Sequence, residues 1–88
     1  MEPTFVVYGT HACQWCTAAR NYLTQKGYAF EMKYVDDNAQ YLTEFKTLFP
    51  EVKTVPQITM TMPGSGFTEK LGGYDQMVAA LMHVTQGM

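Results

Sequence analysis

Cys13-Gln14-Trp15-Cys16 constrains this chain more than any other stretch. It holds the only two cysteines, with two residues between them, and it follows an apolar run, Thr4-Phe5-Val6-Val7-Tyr8. Within that run Phe5–Tyr8 reads as a buried strand. Gly9-Thr10-His11-Ala12 reads as a short loop, and the segment from about Cys13 to Lys26 as a helix. A thiol pair at this spacing, at the start of a helix, can close into a small-ring disulfide and open again. After a strand and a loop the motif points to redox chemistry rather than metal binding.

Helical spacing separates the two sulfurs. Cys16, Ala19 and Leu23 stand at i, i+3 and i+7 and share one face, so Cys16 turns toward the core and Cys13 stays at the exposed first turn. A helix N-terminus carries partial positive charge and unpaired N–H groups, which favour an anion. The Cys13 thiol is therefore expected to ionise below the free value of about 8.5, making it the nucleophile. Cys16, one turn on, would resolve a mixed disulfide. Two other readings compete. The cysteines could be two small core residues that happen to be close. A zinc site normally needs four ligands, and only His11 and the distant His83 could join the pair.

The rest of the chain alternates regularly. Gly27 is a helix stop. From Tyr28 to Val35 the pattern is that of a strand, with Tyr28, Phe30, Met32 and Tyr34 on one side. Asp36-Asp37-Asn38 offers capping side chains for a helix from Ala39 to about Phe49, with Leu42, Phe45 and Phe49 as its buried stripe and Pro50 as its end. A third strand lies within Val55–Thr61. The turn-rich Met62-Pro63-Gly64-Ser65-Gly66 leads to a fourth over Phe67–Leu71. Gly72-Gly73 precedes a last helix from Tyr74 or Asp75 to Val84, facing inward through Met77, Val78 and Leu81. The order βαβαββα is that of an α/β fold whose four-stranded sheet is mixed, with three flanking helices. Residues 1–88 are expected to form one domain.

Composition excludes several classes. At 47% hydrophobic and 14% aromatic, an 88-residue chain can build a core. A net charge of −2 without charge runs gives no nucleic-acid footprint and no anionic-membrane binder. No apolar run approaches the roughly 20 residues that span a bilayer. The N-terminus lacks signal-peptide character. The expectation is a cytoplasmic monomer, where such a cysteine pair is catalytic rather than structural.

Other residues carry weaker signals. His11 can add charge or move a proton near Cys13, or be a solvated loop histidine. Trp15 and Tyr8 can shape a substrate surface or simply cover the sheet edge. Gly72-Gly73-Tyr74-Asp75 offers bare N–H groups for a carboxylate and the Asp75 side chain for an ammonium, or is only a turn. Lys46, Lys53 and Lys70 read as solvated, with Lys53, next to Thr54-Val55-Pro56, the best exception. The seven methionines are mostly core filler or terminal.

Three elements fall in register: Cys13-Gln14-Trp15-Cys16 after the first strand, Thr54-Val55-Pro56-Gln57 opening the third, and Gly72-Gly73-Tyr74-Asp75 opening the last helix. Together they resemble a glutaredoxin over nearly the whole chain. The short length and the Gly-Gly-Tyr-Asp-Gln ending are similar to the small glutaredoxins of bacteriophages. The resemblance implies a thioredoxin-like fold with Pro56 cis, turning the Val55 backbone toward Cys13. It implies that glutathione, a co-substrate rather than a resident cofactor, lies along Trp15, Lys53, Thr54, Val55, Pro56, Gly73, Tyr74 and Asp75. Val55 would pair with its cysteine unit. The N–H groups near Tyr74 and Asp75, with the Asp75 side chain, would hold its γ-glutamyl end, and Lys53 or Lys46 would attract its glycine carboxylate.

Against the family pattern, Thr10 replaces a frequent Lys or Arg, Gln76 stands where a second acid is common, and Gln14-Trp15 replaces a frequent Pro-Tyr. The function implied is a glutathione-dependent dithiol–disulfide oxidoreductase, serving electron transport and cell redox homeostasis. It would reduce protein disulfides and glutathione mixed disulfides, with ribonucleotide reductase as a client by analogy. Two alternatives are a glutathione-ligated iron–sulfur cluster module and a thioredoxin-like reductant that uses glutathione poorly.

Overall fold

The computed structural model describes residues 3–86, with side chains through Met82, so the His83 side chain lies outside the described residues. The elements are β1 (Thr4–Gly9), α1 (Gln14–Lys26), β2 (Ala29–Tyr34), α2 (Ala39–Leu48), β3 (Gln57–Thr61), β4 (Thr68–Gly72) and α3 (Tyr74–Gln86). They make one four-stranded sheet in the order β2-β1-β3-β4. β1 pairs parallel with β2, from Thr4 opposite Ala29 to Gly9 opposite Tyr34, and antiparallel with β3. β4 adds antiparallel to β3. This is the expected mixed α/β sheet with three helices, a thioredoxin-like fold.

Side-chain alternation along β1 divides the core. Phe5 and Val7 join Ala19, Leu23, Ile58, Met60, Met77 and Leu81 beneath α1 and α3. Tyr8 points to the opposite face and packs with Val35, Phe45 and Phe49 beneath α2. Leu23, Ile58 and Met77 are fully buried. Each such side chain contributes roughly 1.5–3 kcal/mol relative to an exposed one.

Local chemistry sets the ends of the elements. Gly27 closes α1 at φ 79°, a left-handed conformation that favours glycine. Its N–H donates to Thr24 and the Tyr28 N–H to Leu23, the paired bonds of a Schellman cap. Among Asp36, Asp37 and Asn38, only Asn38 caps α2, its Oδ1 accepting from the Tyr41 N–H at 3.1 Å. Asp36 instead accepts from the His11 N–H at 3.0 Å. Phe49 is the C-cap of α2 rather than its last helical residue. The fourth strand starts one residue later than expected and reaches Gly72. None of the described helices is long and apolar enough to cross a membrane.

Candidate active site

Cys13 does not sit in the first turn of α1. It is the N-cap, with φ −84° and ψ 113°, and its Sγ accepts from the Cys16 N–H at 3.0 Å. An N-cap side chain normally offers an oxygen to an orphan N–H near the helix start. Here a sulfur takes that place, so it rests against the positive end of the helix. Cys13 is half-buried, whereas Cys16 is 1% exposed. The two form a disulfide with Cα atoms 5.2 Å apart, within the usual range.

Cys16 is packed against the end of β1. A Cβ placed on Gly9 would lie 2.6 Å from Cys16 Sγ. Glycine at position 9 is what lets the helix approach the strand this closely. Sequence reasoning treated Gly9 as loop, and only its place between the apolar strand and the CxxC motif hinted otherwise.

The segment before β3 faces the reactive sulfur. The Val55–Pro56 bond is cis. The Val55 carbonyl oxygen lies 3.7 Å from Cys13 Sγ. Buried Gln57 steadies this segment, donating from Nε2 to the Thr54 carbonyl at 3.1 Å. Thr54 and Lys53 are exposed beside it.

Two recesses meet this segment, one lined by Pro56 and the other by Val55. One, about 190 Å³, is lined by Trp15, Pro56, Tyr74, Asp75 and Gln76. The other, about 510 Å³, is lined largely by apolar side chains together with Thr10, Lys46, Lys53 and Val55. Trp15 is 53% exposed, and its ring centroid lies 5.5 Å from that of Tyr74. The structure thus gathers Cys13, Cys16, Trp15, Val55, Pro56, Gly73, Tyr74 and Asp75 at one end of the sheet. Lys53 and Lys46 are placed in the second recess.

The helix α3 N-terminus differs from the expected row of bare N–H groups. The Gly73 N–H donates to Gln76 Oε1 at 3.0 Å. This is the backward arm of a capping box, with Gln76 three residues inside the cap. The first helical bond runs from the Met77 N–H to the Gly73 carbonyl, so the N–H groups of Tyr74, Asp75 and Gln76 precede the ladder. Gln76 is therefore a capping residue as well as part of the recess. The spacing of Gln76 three residues after Gly73 is the sequence signal for this cap.

His11 and Tyr8 are directed elsewhere. The His11 ring stacks on Tyr34 at 3.9 Å between centroids, and Nδ1 lies 3.0 Å from Asp36. The His11 backbone N–H is the main cause holding the Asp36 carboxyl below its ordinary value. His11, Asp36 and Asp37 form an exposed cluster that fastens the loop before Cys13 to the end of β2. Tyr8 covers no sheet edge, because β1 is a central strand. It is 2% exposed, and its hydroxyl donates to Glu44. Lys33 Nζ meets the same Glu44 oxygen at 2.6 Å. Burial, then the Glu44 hydrogen bond, pushes the Tyr8 hydroxyl well above its ordinary value. Lys70 is not simply solvated, since Nζ donates to the Leu48 carbonyl at 2.6 Å.

Known structures share this architecture. Glutaredoxin 1 of Francisella tularensis, solved with cacodylate, is 22% identical, with a TM-score of 0.68 over 96% of this chain and 98% of that one. A wheat glutaredoxin is 26% identical, with a TM-score of 0.64 over 85% of this chain and 68% of that one. A buckwheat glutaredoxin in complex with glutathione is 18% identical, with a TM-score of 0.69 over 90% of this chain and 68% of that one. No curated protein sequence matches the chain. The model of the glutaredoxin family matches residues 5–61, which run from the second residue of β1 through the Cys13–Cys16 pair and α2 to the end of β3. The chain belongs to the glutaredoxin family of thiol–disulfide oxidoreductases.

Proposed function

We propose that the protein reduces protein disulfides and glutathione mixed disulfides, with glutathione as its electron source. The observation that carries this reading is the setting of Cys13. Its sulfur is held at a helix N-terminus, beside the Val55 carbonyl, with the buried Cys16 bonded to it. In the reduced protein the Cys13 thiolate attacks a substrate sulfur. The substrate S–S bond breaks, and the departing thiolate takes a proton. Cys16 then attacks Cys13 of the mixed disulfide, the Cys13–Cys16 bond forms, and the second substrate thiol leaves. Two electrons pass from protein to substrate. Two glutathione molecules restore the dithiol in two successive exchanges and leave as glutathione disulfide.

Glutathione has a natural seat in this reading. The backbone of Val55 pairs with its cysteine unit, beside Thr54 and against Pro56. The N–H groups of Tyr74 and Asp75, with the Asp75 carboxylate and the exposed face of Trp15, take the γ-glutamyl end. Gly73 stands beside this seat, where a Cβ would crowd Gln76 Oε1 at 3.2 Å and so press on the cap of α3. Lys53 or Lys46 attracts the glycine carboxylate. The glutathione complex of the buckwheat relative supports this reading. Ribonucleotide reductase is a client proposed by family analogy.

The test is turnover of a protein disulfide with glutathione and glutathione reductase, set against thioredoxin reductase, as the electron source. Turnover with glutathione at a rate well above the second arm is expected. Turnover only with thioredoxin reductase overturns the proposal.

A further inference from the structure

We propose that the apolar recess beside Val55 seats the polypeptide flanking the client's disulfide, and that it selects an apolar side chain within two residues of the reacting cysteine together with a carboxylate. The inference rests on the redox reading above and adds the client's sequence preference to it. The recess is about 510 Å³. Leu42 of α2, Val52 and Val55 contribute to its apolar lining, and Thr10 also lines it. Lys46 and Lys53 are its charged lining residues, and both are exposed.

Glutathione does not account for this lining. Its glycine end is a carboxylate, which a lysine can attract but which has little hydrocarbon to bury against leucine and valine. A client side chain does have it, and burying apolar area is what such a surface favours. Charge points the same way. The chain carries −2 overall, yet the charged residues of the recess are both cationic, so an acidic neighbour is drawn in and a basic one repelled. Reach fits as well. Val55 lines the recess and also presents the carbonyl 3.7 Å from Cys13 Sγ, so a chain joined to Cys13 starts at its edge. In an extended peptide the residue two places from the cysteine lies about 6.6–6.8 Å along, on the same side. With Thr10 in place of a cation, the end of the recess formed by residue 10 is neutral.

The experiment is single turnover of the pre-reduced wild-type protein with four peptides, each closed by one intramolecular disulfide. They carry Leu or Ala two residues from one cysteine and Glu or Lys next to that position. Hydroxyethyl disulfide, which carries neither a branched apolar side chain nor a charge, is the reference. The Leu peptides are expected to react with a second-order rate constant roughly tenfold higher than that of the Ala peptides. Glu should gain about threefold over Lys, an advantage that shrinks in high salt. Val52→Thr, nearly isosteric, should lower the Leu-to-Ala ratio severalfold and leave the hydroxyethyl disulfide rate in place. Leu42→Gln should do the same. A ratio within one variant does not move when part of the sample is unfolded. Equal rates for all four peptides, with hydroxyethyl disulfide still reduced, overturn this proposal and leave the redox reading standing. A protein that reduces no disulfide overturns both.

Discussion

The two faces of the sheet are built on different principles. Beneath α1 and α3 the cluster around Phe5, Val7, Leu23, Ile58 and Met77 is almost wholly buried. Beneath α2 the cluster of Tyr8, Val35, Phe45 and Phe49 is smaller, and the Tyr8–Glu44–Lys33 network runs beside it. The first face owns the buried sulfur: Cys16 is 1% exposed, and its helix is pressed onto Gly9. The second face leaves a recess open at its border with Val55. Cys13 stands near that border. Close packing fixes side-chain positions, so the exchange chemistry rests on the rigid face. Recognition can fall to the looser one, where an open apolar surface remains.

The largest effects should come from the sulfurs, and they sharpen the division. Cys13→Ser should abolish all thiol–disulfide exchange. Cys16→Ser should lose reduction of protein disulfides, while keeping some activity toward glutathione mixed disulfides, which need only one thiol. Assays with both substrate types check this. Iodoacetamide that modifies Cys16 before Cys13 in the reduced protein would reverse the assignment.

Next come substitutions that pit one face against the other. Leu23 is fully buried, so Leu23→Ala should cost about 2–5 kcal/mol of stability. Leu42 is only half-buried, and Leu42→Ala should cost about 1–2 kcal/mol, in proportion to the smaller area it covers. Urea unfolding of the two variants measures the difference. Equal losses would mean that the second face is as tightly packed as the first.

The division was only partly legible in the sequence. The apolar run Phe5-Val6-Val7-Tyr8 as a buried strand, the 3.6-residue stripe through Cys16, Ala19 and Leu23, and Gly27 as a stop all carried over directly, because each depends on local geometry. The sheet order places β1 in the centre, which local patterns do not encode, so neither reading of Tyr8, as substrate surface or as edge cover, anticipated its place in the core beneath α2. Cys13 was placed inside the helix because cysteine is not a customary N-cap. Asp36 and Asp37 looked like caps. Their partner, His11, is 25 residues away from Asp36, and such pairings appear only once β1 and β2 are laid side by side. The lysines of the second recess and Val55 were singled out, but Leu42, Phe45 and Phe49 of its apolar lining were read only as core.

A smaller effect tests the network on the α2 face. The Lys33 hydrogen bond first, and the Tyr8 hydroxyl second, hold the Glu44 carboxyl below its ordinary value. A carboxyl depressed on folding adds stability that is fully present above its unfolded value. That contribution is lost as pH falls through the folded one. Glu44→Gln should therefore cost about 0.5–1 kcal/mol at pH 7, in the range of solvent-screened pairs, because the Glu44 side chain is 38% exposed. The gap from wild type should close as pH drops below the ordinary 4.5. Urea unfolding at neutral and acidic pH checks this. A gap that does not change with pH would mean that the Glu44 charge does not stabilise the fold.

The smallest effect probes the border itself. Thr10 lines the same recess as Lys46 and Lys53, and its carbonyl accepts from the Cys13 N–H at 3.3 Å. A lysine at position 10 adds a third cation near both the sulfur and the proposed glycine carboxylate site. An exposed ion pair is worth about 0–1 kcal/mol, so Thr10→Lys should improve the use of glutathione only a few-fold. The same charge should stabilise the thiolate and lower the pH at which Cys13 ionises. Both changes should shrink as salt is raised, because the added charge is screened. The measurements are turnover against glutathione concentration and thiolate absorbance against pH, for wild type and Thr10→Lys, at low and high salt. If both curves stay unchanged at low salt, residue 10 lies outside the field of the reactive sulfur. The recess would then belong to the α2 face alone, and the border drawn through Cys13 would have to move.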